Sequence, residues 1–170
     1  MYFESHAHYD DERFDDDRDE LLASFPSEGI ETVVNSSSDV ASSKASIALA
    51  EKYPFFYASV GVHPHEVGKM TDADIDILRE LSKHPKVVAI GEIGLDFYYD
   101  LSPRDSQRYW FKRQLELAEE LDMPVIIHSR EASQECFDII AQSKVRKGVI
   151  HCYSGSAPMA QDYADMGFYI

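Results

Sequence analysis

At 170 residues, with 44% hydrophobic and 12% aromatic residues, the chain is long enough for one domain with a substantial core. Its net charge of −15 excludes a broad basic surface that holds nucleic acid through many phosphate contacts, yet leaves room for a site that grips one or two phosphates through metal ions. No apolar stretch could span a bilayer and the first residues form no leader-like segment, so a cytoplasmic protein without a membrane partner is expected.

The first strand is predicted over residues 2–8, where a period of two puts His6 and His8 on one face and turns Ala7 away. The acidic runs Asp10-Asp11-Glu12 and Asp15-Asp16-Asp17 read as a solvated loop and a helix start, where carboxylates favour the dipole. A helix follows over about 16–24, with Leu21, Leu22 and Phe25 inward, and Pro26 ends it. Strand two is read at 32–34. Asp39 caps a helix that runs to about Lys52, and strand three covers 55–62. Thr71 and Asp74 form a capping pair for a helix carrying Ile75, Leu78 and Leu81.

Strand four is the apolar run 87–91, and Glu92 stands where it stops. Ser102 is read as the N-cap and Pro103 as the first residue of the longest helix, with Phe111, Leu115, Ala118 and Leu121 as its stripe. Strand five, 124–128, ends in His128 and precedes a helix over about 131–142 with Ile139 and Ile140 inward. Strand six, 148–152, carries His151, and a helix near 158–166 stops at Gly167. Residues 168–170 begin a seventh strand. Cys136 and Cys152 form no C-x-x-C pair and are expected to be packed thiols.

Alternating strands and helices imply a parallel sheet, and in parallel barrels active sites gather at the C-terminal ends of strands. There stand His6, His8, Glu92, His128 and His151. A carboxylate and several imidazoles converging at one rim would be left unsatisfied or repel without a cation, so the pattern points to a metallohydrolase.

Five motifs then resemble one family. Glu4-Ser5-His6-Ala7-His8-Tyr9-Asp10, Gly61-Val62-His63-Pro64-His65, Gly91-Glu92-Ile93-Gly94-Leu95-Asp96-Phe97, the helix with Gln107, Phe111 and Gln114 leading to Pro124 through Arg130, and His151-Cys152-Tyr153-Ser154-Gly155 occur in the family's order. They resemble the TatD family of metal-dependent deoxyribonucleases, within the amidohydrolase-like (β/α)8 barrels. The resemblance implies an α/β TIM-type barrel of which about six and a half β/α units lie in residues 1–170, a single but incomplete metal-dependent hydrolase domain. It implies two divalent ions, whether Zn, Mn, Mg or Co: His6 and His8 on one, His128 and His151 on the other, and Glu92 bridging. His63 would act near the phosphate and Arg130 would contact it, because a guanidinium fork matches phosphate oxygens.

The activity implied is hydrolysis of phosphodiester bonds in DNA, with RNA as a second substrate, mainly from a 3′ end, by a water activated between two metals. Two departures stand out: Glu4 replaces the family's Asp, and the family's later Asp ligand and last strands have no counterpart up to Ile170. A truncated barrel would leave apolar edges and favour association, whereas a full-length homologue is expected to be a monomer. The rival readings are a catalytically weak metal-binding homologue and a related amidohydrolase-type hydrolase. Among other residues, His65 is read mainly as a loop cap and His84 as surface. Asp96 either orients a ligand or ends its loop, and Tyr98, Tyr99, Tyr109 and Trp110 are read as packing.

Overall fold

The computed structural model describes residues 1–170. Seven strands form one sheet in chain order, every neighbouring pair parallel: β1 (Tyr2–Ala7), β2 (Ile30–Asn35), β3 (Phe56–Val60), β4 (Val87–Asp96), β5 (Val125–Arg130), β6 (Gly148–Ile150) and β7 (Phe168–Tyr169). Between them run α1 (Arg18–Ser24), α2 (Val40–Lys52), α3 (Asp72–Leu81), α4 (Arg104–Leu121), α5 (Ser133–Gln142) and α6 (Ala157–Asp165). This is the repeating β/α unit of a TIM-type barrel, as the strand-and-helix alternation implied.

The core lies between the convex face of the sheet and the helices. Val33, Phe56, Ile90, Ile93 and Ile127 from the strands meet Leu22, Ile47, Leu78, Phe111, Leu115 and Ile140. Each such side chain contributes roughly 1.5–3 kcal/mol by leaving water. On the concave face a small cluster of Val34, Ala89 and Ile126 floors the space beneath the strand ends. β1 and β7 are the two ends of the strand order, and Met1, Tyr2, Phe3, Tyr169 and Ile170 are exposed there.

The caps at Asp39 and Thr71 form as expected: Asp39 accepts from the Ser42 N–H, and Thr71 with Asp74 closes a capping box. Other expectations are corrected. Ser102 does not cap α4, whose N-cap is Pro103; its hydroxyl donates to the His65 carbonyl and accepts from the Gly68 N–H. Cys136 is packed, but Cys152 is exposed, at a positive φ of 48° just beyond β6. α1 begins at Arg18, because Asp15, Asp16 and Asp17 form a turn that follows a 3-10 helix over Glu12–Phe14.

The largest correction concerns β4, which runs on through Glu92 to Asp96 instead of stopping at Gly91. Ile90 and Ile93, three residues apart, both face the helix-side core, so the two-residue alternation slips by one between them, where the β4–β5 register is also irregular. Side chains and backbone of the neighbouring strand ends satisfy the freed groups. Ser59 Oγ donates to the Gly91 carbonyl, and the Glu92 N–H donates to the Ser37 carbonyl. Beyond the slip, Gly94 pairs with His128 at φ +146°, where a Cβ would lie 1.9 Å from the His128 carbonyl oxygen.

Helix α4 braces this rim with two buried glutamines that act as side-chain substitutes for a neighbouring strand. Gln107 accepts from the Asp96 N–H and donates to the Asp96 carbonyl; Gln114 does the same for Val62, accepting at 2.7 Å and donating at 3.0 Å. Replacing Gln114 with Ala leaves a buried N–H and C=O without partners. The expected cost is about 2–4 kcal/mol in urea unfolding. A loss under about 1 kcal/mol would show that water takes over both bonds and that the brace is dispensable.

Candidate active site

Glu92 is the centre toward which the rim converges. Its carboxylate is 2% exposed, and its two oxygens divide the imidazoles between them. Oε2 lies 2.8 Å from His6 Nε2 and 3.3 Å from His8 Nε2, while Oε1 lies 3.0 Å from His128 Nδ1 and 2.6 Å from His151 Nε2. His63 Nε2 stands 3.7 Å from Oε1. The structure thus brings His6, His8, His128 and His151 together around Glu92.

Each side chain arrives by a separate backbone route. His6 lies within β1, and His8 just past its end, where the Tyr9 N–H and Asp10 are held by Asn35 from β2. His128 lies within β5 rather than at its end, and His151 follows β6 with its N–H bonded to the Ile127 carbonyl. His63 is placed by the Ser38 carbonyl, which accepts from its N–H, and by the Gln114 clamp on Val62 beside it.

The electrostatics follow from burial and proximity. Burial alone would raise Glu92, but hydrogen bonds from His128, His151, His6 and His8 hold it well below the ordinary carboxylate range. The bond to Glu92 holds His8 above the ordinary imidazole value. His128 is pushed down by burial but ends up raised, because Glu92 and Asp96 both face it. His63 is lowered to about 3 by burial, so its ring is neutral. Its Nδ1 accepts from the His65 N–H at 3.2 Å, which leaves the ring proton on Nε2, the atom that faces Glu92.

The donor set fits divalent cations. A neutral imidazole has one N–H, yet His128 presents Nδ1 to Glu92 and Nε2 to Asp96, and its Nδ1 is 3.5 Å from His151 Nε2 on the same carboxylate oxygen. Imidazole nitrogens gathered around one buried carboxylate in this way form a ligand set on which a divalent ion can replace the protons. His6, Glu92 and His151 form one group whose ligand atoms all lie within 4.8 Å, and the His6 and His151 rings stack at 3.8 Å. Imidazole-rich sites of this composition suit Zn, Mn or Co more than Mg.

Two features went beyond the sequence reading. Asp96, 0% exposed, is bonded into the site through His65 and His128 and does not merely end a loop. The signal was present: Asp96 follows Glu92 by four residues, which on one strand is the same face. His65 likewise joins this network rather than capping its loop. The second feature is the surroundings of Arg130. Arg13, Arg18, Arg79, Arg104, Arg108 and Arg113 all pair with carboxylates, whereas Arg130 has no carboxylate partner and rests 4.1 and 4.6 Å from the Tyr98 and Tyr99 ring centres.

Comparison with known proteins places this arrangement. The family model described as TatD related DNase matches residues 3–170. The chain is 38% identical over 172 aligned positions to the metal-dependent hydrolase YabD of Bacillus subtilis, covering 100% of this chain and 68% of that protein. It is 32% identical over 160 positions to the 3′-5′ ssDNA/RNA exonuclease TatD of Salmonella typhimurium, covering 93% and 62% respectively. The crystal structure of YjjV, a TatD homologue from Escherichia coli, superposes with a TM-score of 0.91 at 30% identity, covering 98% of this chain and 66% of that one. The chain thus spans about two thirds of the length of these relatives.

The buried neutral His63 has a measurable consequence for the chelator-treated protein. Its folded pKa, about 3, lies below the unfolded value near 6.5, so between these pH values the unfolded chain takes up a proton that the folded chain refuses. Stability falls as pH drops through that window. The slope contributed is about 1.4 kcal/mol per pH unit, and urea midpoints between pH 6.5 and 4.5 should fall less steeply in His63→Gln. Equal slopes would show that the folded ring accepts the proton.

Proposed function

Because the chain belongs to the TatD-related DNase family of metal-dependent hydrolases, we propose that it hydrolyses phosphodiester bonds at the 3′ end of single-stranded DNA, and of RNA as a second substrate. The observation that carries the reading is one buried carboxylate with a pair of imidazoles on each oxygen, beside an arginine free to meet a phosphate. The Salmonella relative, a 3′-5′ ssDNA/RNA exonuclease, supports the polarity and the substrate class.

His6, His8 and Glu92 Oε2 would hold one divalent ion, and His128, His151 and Glu92 Oε1 a second. Bound there, the ions would lower the pKa of the attacking water and stabilise charge on the leaving oxygen. The chain's own residues do the rest. Glu92 stays ionised under its imidazoles and keeps the two halves of the site in register. Arg130, two residues beyond His128 on β5 and therefore on the same face, offers its N–H fork to the non-bridging phosphate oxygens. The tyrosine rings hold that guanidinium in place without neutralising it. His63, kept neutral with its proton on Nε2, donates a hydrogen bond to the substrate where charge develops.

Incubating the protein with a 3′-labelled single-stranded oligonucleotide, beside simple amides and lactones, tests the reading. Loss of the label that is abolished by chelator and restored by Mn or Zn is expected. Glu92→Gln should lower kcat at least about a thousandfold, and His63→Gln about a hundredfold. Arg130→Gln should act mainly on KM, raising it about tenfold. Turnover of an amide or lactone with the oligonucleotide left intact would replace the nuclease reading by another hydrolase chemistry.

A further inference from the structure

Asp96 lies behind the metal-facing side chains, and its two oxygens have different tasks. Oδ1 accepts the backbone N–H of Tyr98 at 3.0 Å and of Tyr99 at 2.8 Å, so it is fixed as an acceptor by the turn that follows β4. Oδ2 faces two rings, with His128 Nε2 and His65 Nε2 each 2.9 Å away. The Asp96 backbone is itself clamped on both sides by Gln107, and the side chain has no access to solvent. Nothing in this arrangement leaves the carboxylate free to rotate.

We propose that Asp96 is a positioning residue that holds a proton on His128 Nε2, leaving Nδ1, the atom that faces the Glu92 centre, as the one an ion there can take. The inference rests on His128 being a metal ligand, and it adds what selects the ligating atom. An imidazole can bind an ion through either nitrogen, and the partner of the other nitrogen decides which. Here the Nδ1 side meets Glu92 Oε1 at 3.0 Å and His151 Nε2 at 3.5 Å, and the Nε2 side meets only Asp96 among the carboxylates. His65 shares Oδ2 and links the loop after β3 to the same carboxylate, so this loop and β5 are held in one register.

The two-sided use of Asp96 makes Asp96→Asn a directed test. Because two backbone N–H groups point at the Oδ1 position, the amide oxygen of the variant must remain there, and its NH2 must take the place of Oδ2. Two amide hydrogens then face the two Nε2 atoms. His128 becomes an acceptor at Nε2 and carries its proton on Nδ1, the atom that should bind the ion. The side-chain volume is almost unchanged, so packing alone would predict no such inversion.

The experiment combines 15N–1H NMR of the histidine rings with zinc affinity measured by chelator competition. In the wild type a slowly exchanging His128 Nε2–H is expected, with or without zinc, and in Asp96→Asn this signal should be lost. Zinc binding in the variant should weaken about 10- to 100-fold. His65→Gln, which spares the Asp96–His128 pair, should keep the signal and bind zinc within about threefold of the wild type. A folded wild type lacking the Nε2–H, a variant that retains it, or a His65→Gln loss as large as that of Asp96→Asn would each overturn the proposal, and the first holds even where the variant does not fold. A wild type that shows the Nε2–H but binds no zinc would refute the metal site instead.

Discussion

The structure depends on a carboxylate that cannot stand alone. Glu92 is buried at the mouth of a parallel sheet, where an unpaired negative charge would be prohibitive, and it is tolerated because imidazoles from β1, from β5 and from the segment after β6 converge on its two oxygens. Those segments are far apart in the chain and adjacent only through the strand order. The fold and the site are therefore one constraint: any change in register that moved a single histidine would leave the acid uncompensated. A parallel barrel suits this arrangement because every strand ends at the same rim, and each strand supplies a side chain at comparable height.

Holding that height requires more than the ladder bonds of the sheet. The slip in β4 turns Glu92 inward, and its cost in backbone bonding is offset by Ser59 and by the Ser37 carbonyl from strands already in place. Helix α4 then reaches across the helical layer with Gln107 and Gln114 to fix Asp96 and Val62, the residues that stand just behind His128 and just before His63. Ser102, just before the helix, ties down the turn that carries His65. One helix thus sets the depth of the floor for three imidazoles without contributing any of them. Polar side chains buried in this way rigidify a site when their groups are met, and Gln107 meets both hydrogens of its amide, at the Asp96 and Ser102 carbonyls, while Gln114 clamps both backbone groups of Val62.

Much of this was legible in the sequence, and the parts that were not share a cause. The alternation of apolar runs with capped helices identified the β/α series, and the spacing of His6 and His8 placed both on one face, because period and capping are local properties of the chain. β4 outruns its apolar stretch for an equally physical reason. The continuous apolar run stops at Gly91, yet the strand goes on because Gly91 and Gly94 permit a close approach to β5, and only the partner strand reveals that use. Ser102 reads as a helix cap for the same reason: its position beside Pro103 is local, but its partners at His65 and Gly68 are more than thirty residues away. Asp96 carried a readable signal in its spacing from Glu92, whereas its imidazole partners depended on β5 and on the loop after β3.

The acidic character of the chain bears on how a polyanion would approach this rim. With a net charge of −15 and six arginines already paired to carboxylates, long-range attraction to nucleic acid is absent, and recognition falls to the site itself. Arg130 is suited to that task because its charge is not spent on a carboxylate: two tyrosine faces hold the guanidinium while its N–H groups remain available. A phosphate reaching Arg130 meets a guanidinium whose charge no carboxylate partner offsets. In the nuclease reading proposed above, a chain end entering the rim would need only the few phosphate contacts that Arg130 and the bound ions offer, whereas a duplex lying along the surface would need many that a net-negative chain does not supply. In that reading a preference for ends would arise from how few phosphate contacts the chain offers outside the site, with the metal-facing histidines supplying the chemistry.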